Sequence, residues 1–250
     1  MARLFDSTSD RISFGTDPLP LIGSLSLWAY PNWAQADGAV HMYFSAMAAA
    51  TQVFQLLKFS NNSLYAGWYN TSEYRVIVAS ASYTQTQSAW NHFVLTWDDT
   101  ANVSKLYLNG AQIGSSTSTL VAFTTTHSRT IGNEASEGIG DYSFDGRIAE
   151  VALYTAVLEA SEVAALSKGF SPLLIRPTSL QHYLPLVREA QDRKGATVTE
   201  ANTVVIEHPR TFYPSSGKVS AAAAAPPPVS IYPSFLKTQQ RPYRNVRRVA

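Results

Sequence analysis

The stretch from Trp90 to Ile113 constrains this fold more than any other. In Trp90-Asn91-His92-Phe93-Val94-Leu95-Thr96-Trp97, the residues Phe93, Leu95 and Trp97 share one parity. A strand sends alternate side chains to opposite faces, so that parity marks a core face. Asp98-Asp99-Thr100-Ala101-Asn102 is too polar to pack and reads as a turn. The following run, Lys105–Leu108, ends in Asn109-Gly110. Both residues tolerate the positive φ that the centre of a type I′ hairpin requires. Two hairpins with no helix between them predict antiparallel sheet.

The rest of the first 169 residues continues in that style. Leu25, Leu27 and Ala29 alternate with Ser24, Ser26 and Trp28. Strands are expected at 41–45 and 52–59, with the alanine-rich Met47–Ala50 as a loop. Ser60-Asn61-Asn62-Ser63 turns into a strand at 64–69, and 70–73 turns into one at 74–80. A short strand is expected within 117–129, another begins at 130–132, and 133–143 is a polar loop. Ala149, Val151 and Leu153 give a core strand at 144–154. One helix is predicted over Leu158–Gly169, with Val163 and Leu166 at helical spacing and Gly169 past its last turn. Trp28, Trp90 and Trp97 are assigned to the core.

A family resemblance rests on the order of these pieces. Trp90-x-His92-x-x-x-Thr96-x-Asp98, then Leu106-Tyr107-Leu108-Asn109-Gly110, Ile131-Gly132 and Phe144-Asp145-Gly146-Arg147-Ile148-Ala149-Glu150-Val151-x-Leu153-Tyr154, resemble the laminin-G-like, concanavalin A-like jelly-roll family over roughly residues 1–169. The resemblance implies an all-β protein: a two-sheet antiparallel jelly-roll sandwich with one short helix. It implies no single function, because this fold carries lectins, hydrolases, adhesion modules and viral structural proteins. The segment Leu180–Leu186 through Asp192-Arg193-Lys194-Gly195 resembles the strand that opens such a module, here displaced to the far end. Residues 180–207 are therefore expected to complete a sandwich, either that of their own chain or that of a neighbour. The organisation read from the sequence is a jelly roll at 1–170, a completing segment at 171–214, and an extended arm at 215–250.

Few chemical sites stand out. There are no cysteines, which excludes disulfides, thiolate metal sites and cysteine nucleophiles. No phosphate loop, serine elbow or zinc helix is present. Glycoside hydrolysis needs paired carboxylates, and Glu134-Ala135-Ser136-Glu137 reads as a solvated charge pair in a loop. No catalytic residue and no cofactor is assigned. The five histidines are scattered and read as structural, with His92 ordering a strand end. Calcium is the resemblance's usual ion, but Asp141-x-Ser143-x-Asp145-Gly146 lacks a closing acid at Ala152. Asp37, Asp98 and Asp99 read as turn acids, and no metal site is assigned. Trp33, Trp68 and Tyr69, in or near loops, are the candidate platform for a sugar ring.

The arm differs in composition from the body. Ala221–Ala225 and Pro226-Pro227-Pro228 form a spacer. From Lys218 onward lie six of the nineteen basic residues and none of the eighteen acidic ones, so residues 1–217 carry −5. Tyr232, Phe235, Arg241, Tyr243, Arg244, Arg247 and Arg248 are the candidate partner-binding residues, a mixture that suits protein surfaces better than nucleic acid. Met1–Leu4 followed by Asp6 is not expected to be a secretion signal, and no apolar run spans a membrane. The tail from Arg176-Pro177 through His208-Pro209-Arg210 and Tyr213-Pro214 resembles small decoration proteins of tailed bacteriophages. That resemblance implies a non-enzymatic virion protein assembled in the host cytoplasm. It would be homo-oligomeric and bound to the major capsid protein or another virion protein. The alternative is a carbohydrate-binding, lectin-like module with a glycan partner.

Overall fold

Alternation sorts the strands into two layers. Leu25, Leu27, Phe93, Leu95, Trp97, Leu106 and Leu108 from one layer meet Ile12, Phe14, Phe44, Phe54, Leu56, Trp68, Val76 and Val78 from the other, all buried in one apolar cluster. The computed structural model describes residues 2–6, 8–49, 52–69, 74–118, 128–134, 142–187 and 190–212. The compact unit runs from Met1 to Pro214, so it extends past residue 170. The arm and its seven candidate residues, Tyr232 to Arg248, lie outside the described residues.

Among the described residues the strands are β1 (Ala2–Phe5), β2 (Arg11–Phe14), β3 (Ile22–Pro31), β4 (His41–Ala49) and β5 (Gln52–Lys58). They continue as β6 (Leu64–Tyr69), β7 (Tyr74–Val78), β8 (Asn91–Asp98), β9 (Val103–Leu108) and β10 (Ala111–Ser116). The last are β11 (Ser128–Ile131), β12 (Gly146–Tyr154), β13 (Leu180–Leu184), β14 (Val198–Ala201) and β15 (Val204–Ile206). The first sheet runs β10-β9-β8-β3-β12-β1-β15, with β13 also on β12; the second runs β14-β2-β11-β4-β5-β6-β7. Every strand pair is antiparallel. The fold is thus an all-β sandwich consistent with a jelly roll.

The hairpin at Asn109-Gly110 has φ of 50° and 86°, the type I′ signature. At the β10 edge Gly114 allows the layers to close: a Cβ there would meet a Val78 methyl at 2.5 Å. At the opposite edge, β14 pairs with β2 in one sheet and β15 with β1 in the other. The Arg3–Glu200 ion pair, at 2.6 Å, ties those elements together.

The displaced segment pairs within the chain. β1 lies along Gly146–Ile148 of β12 and β13 along Val151–Tyr154. One strand position is therefore filled end to end by pieces from opposite ends of the chain. Between them Glu150 adopts φ 54°, and its buried carboxylate accepts from the Tyr183 hydroxyl at 2.7 Å and contacts His208 at 2.9 Å.

Three expectations are corrected. Met47–Ala49 is strand, not loop, because β11 and β5 pair on either side of β4 and override weak local propensity. The helix α1 spans Ala160–Ser167, shorter than expected; the Glu162 carboxylate takes the Glu159 N–H at 2.7 Å and fixes its start. Trp97 is core, but Trp28 and Trp90 are only half-buried. Trp28 lies on the β3 parity opposite Leu27 and packs on His92, while Trp90, just before β8, packs on Tyr30, with the Arg147 guanidinium 4.4 Å over Tyr30. Elsewhere a second cluster of Val94, Tyr107, Tyr154, Leu180 and Tyr183 packs with Val163 and Leu166 of α1. No helix among the described residues is long and apolar enough to cross a membrane.

Candidate functional site

On β5, Phe54 and Leu56 face the central core, while Val53, Gln55 and Leu57 face outward. Yet Val53, Gln55 and Leu57 are buried, so something covers them. With Phe59, Tyr69, Tyr74, Glu134 and Tyr142 they line a cleft of about 240 Å³.

A row of small polar residues crosses this sheet. The register places Thr199 beside Ser13, Ser13 beside Thr130, Thr130 beside Ser45, Ser45 beside Gln55, and Gln55 beside Gly67. The turn after β11 lies against that row: the Thr130 hydroxyl donates to the Asn133 carbonyl at 2.7 Å. Gly132, with φ 81°, makes the turn possible, because a side chain there would run into the Phe5 ring. Glu134 is thereby brought over β5, where Gln55 Nε2 donates to its Oε1 at 3.1 Å. Gln55 Oε1 in turn accepts from the Tyr74 hydroxyl at 2.8 Å.

Glu134 is only 6% exposed, and its Oε2 has no hydrogen-bond partner among the described residues. Burial pushes its carboxyl up to about 7, against the opposing hydrogen bond from Gln55. Burial, with Tyr69 and Glu134 nearby, likewise holds the Tyr74 phenol well above its usual value, so it remains a neutral donor. Tyr69 and Tyr74 stack with ring centroids 4.7 Å apart, and Tyr65 meets Tyr74 edge-on at 5.0 Å. The cleft therefore combines an apolar floor, several aromatic rings and three convergent polar groups.

Only Tyr69 of the expected sugar platform lies here. Trp68 is fully buried against Phe54, because its parity on β6 points it inward. Trp33 is buried too, stacked on His41 at 3.9 Å, with Lys58 Nζ 5.4 Å from its ring centre. The three rings thus form no common platform. Glu134 is not the solvated acid expected of its loop; Glu137 and Asp141 lie outside the described residues. Gln55, Tyr74, Glu134 and Tyr142 were missed. The outward parity of Val53, Gln55 and Leu57 is a usable signal, and Gly132-Asn133 marks a turn, but neither says that the turn covers that face.

Asp37, Asp98 and Asp99, among the candidate calcium acids, are engaged by other groups. Asp98 accepts from the Thr100 and Ala101 N–H groups at 2.9 Å, Asp99 pairs with Arg75, and Asp37 pairs with Lys58 and His41. Among the described residues no three His, Asp or Glu converge on a metal position. His92 donates or accepts with Ser26 Oγ at 3.0 Å, and burial pushes its pKa down to about 3, so it is a neutral structural group. His182 sits between Asp192 at 2.7 Å and Asp17 at 3.3 Å, with buried Arg129 alongside. An open depression of about 520 Å³ adjoins that cluster, lined by Ser13, Thr16, Asp17, Thr197 and Thr199. Asp17 is bound by Arg129, His182 and Gln181, and Phe14 is the one aromatic residue among the described residues of the lining.

Comparison with known proteins agrees with this architecture. The laminin-G-like profile described as the concanavalin A-like lectin/glucanases superfamily matches residues 6–164. No curated protein matches in sequence. A heptameric SAP-like pentraxin from Limulus polyphemus superposes with TM-score 0.56 at 16% identity, covering 80% of this chain and 95% of that one. The CBM40 of a Ruminococcus gnavus IT-sialidase gives 0.51 at 18% identity, covering 67% and 98%. The same module bound to alpha2,3 sialyllactose gives 0.50 at 17%, with the same coverage. At these identities the likeness is one of fold.

Proposed function

The chain belongs to the concanavalin A-like lectin/glucanases superfamily, and from that premise we propose that it is a carbohydrate-binding module holding its sugar in the Gln55–Glu134 cleft. The observation that carries this reading is the cleft's chemistry. Rings of Phe59, Tyr69, Tyr74 and Tyr142 surround an amide, a carboxyl and a phenol hydroxyl. Sugars present apolar C–H faces rimmed by hydroxyls, and a mostly apolar pocket with a few placed polar groups is what orients such a ligand. That structurally similar modules include one bound to sialyllactose supports the class of ligand, not its identity. Binding is favoured over cleavage because the described lining holds one carboxylate, whereas glycoside hydrolysis flanks the bond with two. The test is a glycan microarray with the full chain and with Tyr69→Ala. Binding that is lost in the variant supports the reading; no glycan bound by the full chain sinks it.

A second reading keeps the arm. The six basic residues from Lys218 onward, unmatched by acids and interleaved with Tyr232, Phe235 and Tyr243, suit a chain that wraps an acidic protein surface. In that reading the sandwich is the head of a non-enzymatic virion decoration protein. Its arm residues Arg241, Arg244, Arg247 and Arg248 contact the major capsid protein or another virion protein, and the protein assembles as a homo-oligomer in the host cytoplasm. Co-sedimentation of residues 1–250 and 1–217 with undecorated shells tests it. Binding by the longer chain alone supports the arm's role.

A further inference from the structure

The cleft has an electrostatic imbalance that a neutral sugar does not correct. Glu134 is more than nine-tenths buried and keeps one carboxylate oxygen without a partner among the described residues. No Lys or Arg lines the cleft among those residues. The groups facing Glu134 are the Gln55 amide, which donates one hydrogen bond, and the Tyr74 phenol behind it. Among the described residues there is thus neither a counter-charge nor a donor for Oε2. A buried carboxylate in that condition is costly, so the free chain favours its protonated form, and a cation that enters to pair with it favours the ionised one.

We propose that the cleft selects sugars carrying a free amino group, the ammonium entering among the rings of Phe59, Tyr69, Tyr74 and Tyr142 to pair with Glu134 Oε2. A hydroxyl can satisfy the oxygen's hydrogen bond but leaves the charge uncompensated. An ammonium does both. Aromatic rings add to the preference, because their negative faces attract a cation, most strongly where water is excluded. The cleft's volume of about 240 Å³ suits one sugar residue rather than a chain. An N-acetylated amine is excluded by the same logic, having lost its charge and gained bulk. This inference rests on the carbohydrate-binding reading and narrows it to amino sugars.

The experiment is calorimetric titration of the full chain at pH 7 with three tetrasaccharides: β-1,4-linked glucosamine, its fully N-acetylated counterpart, and cellotetraose. The expected result is a preference of about tenfold or more for the glucosamine oligomer over the other two. In Glu134→Gln that ratio is expected to fall to about one. The amide keeps the shape of Glu134 and removes its charge, so the ratio reports the charge and not the packing. A cellotetraose affinity equal to that for the glucosamine oligomer overturns the inference while leaving a sugar-binding cleft in place. A preference that survives Glu134→Gln also overturns it, assigning the attraction to the acidic body as a whole. Binding to none of these sugars, together with a blank glycan array, overturns the inference and the reading beneath it.

Discussion

Gln55 and Glu134 are joined by a 3.1 Å hydrogen bond that brings a turn residue onto the outer face of a strand. Gln55 is itself held by the Tyr74 hydroxyl at 2.8 Å. The carboxyl is therefore fixed in place before any ligand arrives, and its second oxygen points to no described donor. The arrangement trades stability for a ready-made acceptor.

That trade is measurable as a pH dependence. The Glu134 carboxyl holds its proton up to about 7 in the folded chain, against an ordinary value of 4.5. The folded state thus binds the proton more tightly than the unfolded state. Stability is full below the ordinary value and falls as pH rises towards 7. Solvent near the cleft mouth reduces the effect to roughly 1–2 kcal/mol. Urea unfolding of the native chain and of Glu134→Gln at pH 5 and pH 8 checks it. The variant should gain on the native chain by that amount between the two conditions. A gap that does not widen with pH would show that Glu134 is ionised in the folded chain at pH 5.

Trp68 and Tyr69 are neighbours in sequence and opposites in role. Trp68 is fully buried against Phe54; Tyr69 lines the cleft. Trp68→Ala should cost about 3–5 kcal/mol of stability through the cavity it leaves. Tyr69→Ala should cost about 1 kcal/mol or less and weaken sugar binding at least tenfold. Thermal unfolding and calorimetric titration of both variants separate the two effects.

Lys58 is fully buried, and its ammonium is held by Asp37 and by the Ala39 carbonyl at 3.0 Å. Burial on its own would raise the Asp37 pKa, but hydrogen bonds from Lys58 and His41 outweigh it and hold the carboxyl below its usual range. Asp37→Asn leaves the cation without a counter-charge and should cost about 3 kcal/mol. For a domain of this size that is a melting-temperature fall of roughly 6–12 °C, visible by circular dichroism. In the native chain the Asp37 contribution is present above the ordinary carboxylate value and fades as pH falls through the depressed one.

The fold was largely legible because its strands alternate cleanly. Leu25-x-Leu27-x-Ala29 and Phe93-x-Leu95-x-Trp97 face the core as their parity requires, and Asn109-Gly110 forms its hairpin. The site was less legible because a single strand does not reveal what covers its outer face. Tyr69 is found from its position near a loop; Gln55 lies within the strand expected at 52–59, where the sequence assigns it no role. Glu134 lies in a polar stretch, and the turn after β11 carries it over β5. The tryptophans misled for the same reason. Trp33 and Trp68 stand near loops but point inward, while Trp28 and Trp90 flank core residues but point outward.

The final prediction concerns where the folded unit ends. β13 fills the half of the β12 edge that β1 leaves open, and it brings Leu180, Tyr183 and Leu184 into the buried clusters. β14 and β15 form the last strand of each sheet. A chain stopped at 170 would expose the β12 edge and leave Glu150 without the Tyr183 hydroxyl and His208. An open edge beside apolar side chains favours association over folding. Residues 1–170 should therefore be aggregated or lack a cooperative melt, whereas residues 1–214 should melt within about 2 °C of the full chain. The check is differential scanning calorimetry of both truncations beside the full chain. A sharp, reversible transition for 1–170 would show that the segment 171–214 decorates a sandwich already complete without it.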